Sequence, residues 1–163
     1  MLCTELASSV LALGLGISDK EAKDRVAYAI SSGIALEKMK EWIGTQGGDV
    51  SFICRPKLLI NANGQKKLVA KCDGYISAIN AELCGVASML LGAGRSKKDD
   101  EIDSFAGIEL LCEYGQYVKY GTELAIMYAS DSSLFDNAEK TLENAFEFSD
   151  SPAEKKTLIK KII

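Results

Sequence analysis

Two stretches of this chain set residue types suited to chemistry at close spacing. The first is GAGRSKKDDEID, Gly92 to Asp103. Gly92 and Gly94 supply backbone freedom, Arg95, Lys97 and Lys98 place three cations within four residues, and Asp99, Asp100 and Glu101 follow. Arg95 is the residue best suited to an anion, because a guanidinium meets a carboxylate or phosphate with two parallel N–H donors. Taken alone, these residues favour a plainer reading, a helix C-cap followed by a solvated charged loop. The second stretch is GTQGGDV, Gly44 to Val50, where bare amides beside a helix end could cradle phosphate. A Gly-Gly pair after a helix more commonly caps it, and that reading is preferred here. Other acidic clusters read as structural: Glu109 and Glu113 as the solvent side of a strand, and Asp131 to Asp136 as helix N-terminal capping.

Nothing in the residue inventory completes a catalytic set. The chain has no histidine, so the commonest base near neutral pH is missing, and with it every Ser-His or Cys-His arrangement. Cys3, Cys54, Cys72, Cys84 and Cys112 are odd in number and scattered, with no C-x-x-C pair. They read as reduced thiols, mostly buried, rather than metal ligands or disulfide partners. No catalytic residue, substrate ligand, metal or cofactor is assigned from the residues. The candidate site is the loop of Gly92, Gly94, Arg95, Lys97 and Lys98.

Composition narrows the setting. A chain of 163 residues, 47% hydrophobic, can bury roughly 68 to 70% of its unfolded surface, enough for one ordinary core or two small ones. A net charge of -4 argues against a nucleic-acid surface. No apolar run reaches the roughly 20 residues of a membrane span, and the opening MLCTELASSVLALGLG has no basic flank like that of a secretory leader. A cytoplasmic protein without membrane or nucleic-acid partners is expected.

The elements that must position the loop fall into two regions. From Thr4 to about Thr45 three helices are predicted. Leu6, Val10 and Leu13 share a face of the first, which Gly14 and Gly16 break. Ser18 and Glu21 form a capping box for the second, which carries Ala22, Val26, Ala29 and Ile30 and closes at Ser32 and Gly33. The third carries Leu36, Met39 and Ile43, with Trp42 beside them. Asp49 to Asn63, with Pro56 and the NANG turn, reads as an irregular connection. Beyond it, Lys66 to Cys72 and Tyr75 to Ile79 read as a hairpin about Asp73-Gly74. Ala81 to Leu91 reads as an apolar helix ending at Gly92. Ile108 to Cys112, Tyr117 to Lys119 and Glu123 to Tyr128 read as strands turning at Gly115 and Gly121, and Ser133 to Phe146 as a helix with Leu134, Ala138, Leu142 and Ala145 on one face. The fold class expected is α+β.

Three blocks carry a resemblance. ALEKMKEWIGTQGGD (Ala35 to Asp49), GVASMLLGAGRSKKDDEID (Gly85 to Asp103) and GIELLCEYGQYVKYGTELAIMYAS (Gly107 to Ser130) resemble, in order and spacing, the C-terminal part of the pyrimidine-nucleoside phosphorylases, a family that includes thymidine phosphorylase. The resemblance runs from about Thr4 to the final KKII. It implies a helical segment, 1–48, belonging to the central domain of a parent enzyme, a linker, 49–64, and a C-terminal phosphorylase domain, 65–163. In the family such helices pack against a parallel sheet built by an N-terminal portion, which also holds the phosphate loop and the base-contacting histidine. The implied reaction is pyrimidine nucleoside plus phosphate to base plus pentose 1-phosphate. The loop with Arg95 would face the cleft between domains, where closure excludes water. No family residue contacting phosphate, base or sugar maps onto this chain, which is therefore expected to be inactive alone, with the N-terminal part of the parent as its partner.

The segment GQYVKYGTELAIMYA is also similar to the hairpin of biotinyl and lipoyl carrier domains, which suggests a barrel-sandwich, α/β-hammerhead-like sheet. Ala129, Ser130, Asp131 and Ser132 occupy the tip without an attachment lysine, so only the architecture transfers. The alternative function is a non-catalytic binding or assembly module on that fold. The apolar faces of the first three helices need a cover, and a homodimer through them is the expected one.

Overall fold

The computed structural model describes residues 2–56, 64–95, 97–152, 154 and 159. The α+β class is observed, and the chain divides into two compact units, one running to Arg55 and the other starting at Pro56.

The first unit is helical. Helix α1 (Leu2–Leu15) packs on α2 (Asp19–Ser31), and α2 touches α3 (Ile34–Thr45). Gly14 lies inside α1, so the break comes only at Gly16. Half of the expected capping box forms: the Ser18 hydroxyl accepts the Glu21 N–H at 3.3 Å, while the Glu21 carboxylate turns away to pair with Arg25. Helix α3 ends in a double C-cap. The Gly48 N–H donates to Ile43 O at 2.9 Å, the Gly47 N–H donates to Gly44 O at 3.0 Å, and Gly47 takes the left-handed φ of 79° that such a cap demands. Within the expected connection a single turn, α4 (Ser51–Cys54), forms after Asp49 accepts the Ser51 N–H. The NANG turn, apart from Gly64, lies outside the described residues.

Small side chains mediate the α1–α2 packing: Ser8 and Ala22 are the buried residues among those described in this unit. The apolar face lies outward, with Val10 70%, Leu13 86% and Trp42 61% exposed.

The second unit holds two three-stranded antiparallel sheets, with no closed barrel among the described strands. In the first, β5 (Glu123–Tyr128) lies between β1 (Gln65–Val69) and β3 (Gly107–Leu110). In the second, β2 (Gly74–Ile79) lies between β4 (Tyr117–Val118) and β6 (Phe146–Ser149). Helix α5 (Ala81–Ser88), capped by Asn80, runs into a wider π turn (Met89–Ala93), and α6 (Phe135–Glu143) packs on α5. One apolar cluster joins these layers through Leu68 and Met127 of the first sheet, Ile76 of the second, Leu91 of the π turn and Leu142 of α6.

The expected β1–β2 hairpin does not form. Strand β1 pairs with β5, with Lys67 opposite Ile126, and β2 pairs with β4 and β6, so the strands flanking Asp73-Gly74 lie in different sheets. The cause is visible at the would-be turn. Ala70 exchanges backbone bonds with Thr122 and Gly121, Asp73 Oδ1 accepts the Tyr120 N–H at 2.7 Å, and the chain crosses between sheets. Gly74 is there for clearance, since a β-carbon on it would sit 3.2 Å from Ser149 O. The helix expected over Ser133 to Phe146 is also shorter. It begins as a 3-10 turn (Ser132–Leu134), and Phe146 opens β6.

Candidate functional site

The cationic loop is placed by the end of α5. Gly92 adopts φ 100°, which breaks the π turn and turns the chain outward, and Gly94 is extended at φ -144°. Arg95, Lys97 and Lys98 are exposed, and among the described residues none of them joins an ion pair. The Lys97 N–H donates to Asp100 Oδ2 at 2.8 Å, so part of the loop is folded on itself by an acid that follows the cations.

Asp103, at the end of the loop, is a functional position that its local sequence does not mark. Its Oδ2 accepts the Ser130 N–H at 2.7 Å and its Oδ1 the Phe105 N–H at 2.9 Å. Partial burial pushes its carboxyl upward, yet these backbone donors outweigh that and hold it below the ordinary range. The Phe105 bond is a local turn that Asp at this spacing can signal. The Ser130 bond spans 27 positions and has no local signature.

The other polar groups are structural. Lys66 joins β1 to α6, with Nζ 2.8 Å from both Asp136 and Glu139. That double pairing raises the Lys66 pKa, and the Lys66 hydrogen bond lowers that of Asp136. Glu109 accepts the Tyr128 hydroxyl at 2.9 Å across the β3–β5 pair, so it is more than the solvent side of a strand. Burial, then Glu109, pushes the Tyr128 phenol up. Asp131 accepts the Ser133 N–H in the expected capping role. The GTQGGDV stretch offers no free cradle at Gly47 and Gly48, whose amides serve the α3 cap.

Buried thiols are found only in part. Cys112 is buried and Cys84 half-buried, and burial pushes both thiols up, whereas Cys3, Cys54 and Cys72 are exposed. Among the described residues no group of three or more Cys, Asp or Glu is placed to hold a metal ion, and no helix is long and apolar enough to cross a membrane. What the described residues of this arrangement offer chemically is an exposed cationic loop able to meet an anion.

Comparison with known proteins matches residues 75–149 to the family described as pyrimidine nucleoside phosphorylase C-terminal domain. That stretch begins one residue into β2 and ends with β6. The chain is 41% identical over 144 residues to a pyrimidine-nucleoside phosphorylase of Staphylococcus haemolyticus, covering 88% of this chain and 33% of that protein. It is 36% identical over 159 residues to a pyrimidine-nucleoside phosphorylase of Geobacillus stearothermophilus, covering 97% of this chain and 36% of that protein. A Staphylococcus aureus pyrimidine-nucleoside phosphorylase is 39% identical over 144 residues, with 88% and 33% coverage. The chain thus spans about a third of the length of these relatives. The resemblance to the C-terminal portion of pyrimidine-nucleoside phosphorylases, expected from the three blocks, is found.

Proposed function

We propose that this chain acts as the C-terminal part of a pyrimidine-nucleoside phosphorylase, a pentosyltransferase that converts a pyrimidine nucleoside and phosphate to the free base and a pentose 1-phosphate. The observation that carries this reading is identity of 36 to 41% spread over 88 to 97% of the chain and confined to about a third of each relative. Within the parent, residues 1–48 belong to the central domain, 49–64 are the linker and 65–163 form the C-terminal domain, whose two three-stranded sheets we assign to a barrel-sandwich arrangement. Gly92, Gly94, Arg95, Lys97 and Lys98 form a loop facing the interdomain cleft. There Arg95 meets an interdomain carboxylate or substrate phosphate as the cleft closes and excludes water. The setting is cytoplasmic.

The chain alone is inactive on this reading, because the phosphate- and base-binding groups belong to the N-terminal part of the parent. The experiment is complementation. The purified chain should release no base from thymidine or uridine with phosphate, and should gain turnover when co-expressed with the N-terminal two thirds of a relative. Turnover by the chain alone that a point change within it abolishes would refute the proposal. A stand-alone binding or assembly module draws support from one observation: the second unit closes its own apolar cluster. The outward apolar face of α1 and α3 favours the phosphorylase reading, since a self-sufficient module has little use for helices that leave their apolar residues uncovered.

A further inference from the structure

The segment from Gly92 to Asp103 is a loop whose ends touch. The Asp103 N–H donates to Gly92 O at 2.9 Å. A β-carbon on Gly92 would come within 3.3 Å of Asp103 Cβ, so the ends meet where a glycine leaves room. Both carboxylate oxygens of Asp103 are then engaged on backbone. One receives Phe105, two residues before β3 begins, and the other receives Ser130, two residues after β5 ends. The β3–β5 ladder reaches this end with Gly107 opposite Tyr128. The carboxylate therefore lies one step beyond the last pair and bridges the two strands where the ladder stops. A single residue joins the exit of α5 through its backbone N–H to the entry of β3 and the exit of β5 through its carboxylate.

We infer that Asp103 is a latch that fixes the base of the cationic loop to the β3–β5 sheet, and that residues 93–95 and 97–102 loosen together when it is lost. The chemistry suits a carboxylate, which is an acceptor at both oxygens. An asparagine offers one acceptor and a pair of donors, so its amide nitrogen would face one of the two backbone N–H groups. The sheet beneath does not depend on the latch, because its Ala125 and Met127 are fully buried in the apolar cluster. Release is consequently a local opening in which Arg95, Lys97 and Lys98 lose their fixed placement while the strands stay paired.

Those three cations are also trypsin sites, which makes the latch measurable in the 163-residue chain. In Asp103→Asn, cleavage after Arg95, Lys97 and Lys98 should be about tenfold faster than in the wild type, the scale expected when hydrogen bonds to a charged acceptor are lost. Glu101→Gln, with the same change in charge inside the loop and away from the three cleaved bonds, should stay within about twofold. Amide exchange should rise at Phe105, Ser130 and the loop and stay at the wild-type rate at Leu68 and Ala125. Cleavage at the wild-type rate, or exchange raised equally in β1 and β5, would overturn the latch. Should Asp103→Asn fail to fold, Gly92→Ala decides. It keeps the carboxylate but crowds it, and it must give the same local pattern, whereas an unchanged cleavage rate would refute the inference.

Discussion

At the scale of single residues, clearance and pairing can be tested separately. Gly64 lies under the start of β1, with Ala129 donating its N–H to Gly64 O at 2.9 Å. A β-carbon on Gly64 would fall 1.7 Å from Ala129 O, so the backbone itself must move. Gly64→Ala is expected to destabilise the second unit by about 1–3 kcal/mol, as overpacking does, seen as a lower urea midpoint with an unchanged slope. Protonation gives the second test. Asp103, Asp131 and Asp136 are all held below the ordinary carboxylate range in the folded chain. Below about pH 4 the unfolded chain binds protons that the folded one refuses, so the stability these groups contribute is present above that pH and is lost as pH falls through their folded values. Urea midpoints measured from neutral pH downward should fall on the acid side, and Asp136→Asn should make that fall shallower by removing one contributor. Neither Gly64 nor Asp103 was marked as important by sequence alone. Each acts on a partner tens of positions away, beyond the reach of any local pattern.

At the scale of elements, the legible parts were those whose signal is local. The three N-terminal helices follow their apolar spacing and capping residues, and β3, β4 and β5 emerge with turns at Gly115 and Gly121, both at positive φ. Pairing is where local reading failed. Asp73-Gly74 looks like a hairpin, but the choice between hairpin and crossover is made by Tyr120 and Thr122 of the β4–β5 turn and Ser149 of β6, which meet that corner. Strand β6 was missed because Phe146-Glu147-Phe148-Ser149 follows α6 after two residues and continues its apolar pattern. Cys3, Cys54 and Cys72 are exposed for a related reason: apolar neighbours in sequence do not guarantee a covering element in space. Helix α6 supplies the prediction here. Leu142 is fully buried in the shared cluster, so Leu142→Ala should cost about 2–5 kcal/mol and lower the melting temperature of the second unit.

At the scale of the whole molecule, the exposed face of the helical unit governs behaviour in solution. Leu6 is 58% and Val10 70% exposed, with Leu13, Met39 and Trp42 also outward. Apolar patches beyond a few hundred Å² are rare on soluble monomers. We expect the isolated chain to form a homodimer through these helices, giving about twice 17.6 kDa by light scattering. Replacing Leu6 and Val10 together with aspartate should halve the measured mass or precipitate the protein. A monodisperse monomer at high concentration would count against this.

The strand order of the two sheets also sets a timetable for synthesis. In the first sheet the central strand, β5, is the last of its three to be translated, so β1 waits from Val69 until Tyr128 before any of its pairing can be complete. In the second, β2 can meet β4 once Val118 is made, but its other edge waits for β6, which ends at Ser149. At ribosomal speeds each delay is on the order of seconds, and closing such long segments carries an entropic cost that local helix contacts do not. The helical unit can therefore form on the nascent chain while the strands are still open. Refolding from urea should accordingly show helix signal recovering ahead of sheet signal, with the unpaired interval the period of greatest dependence on chaperones.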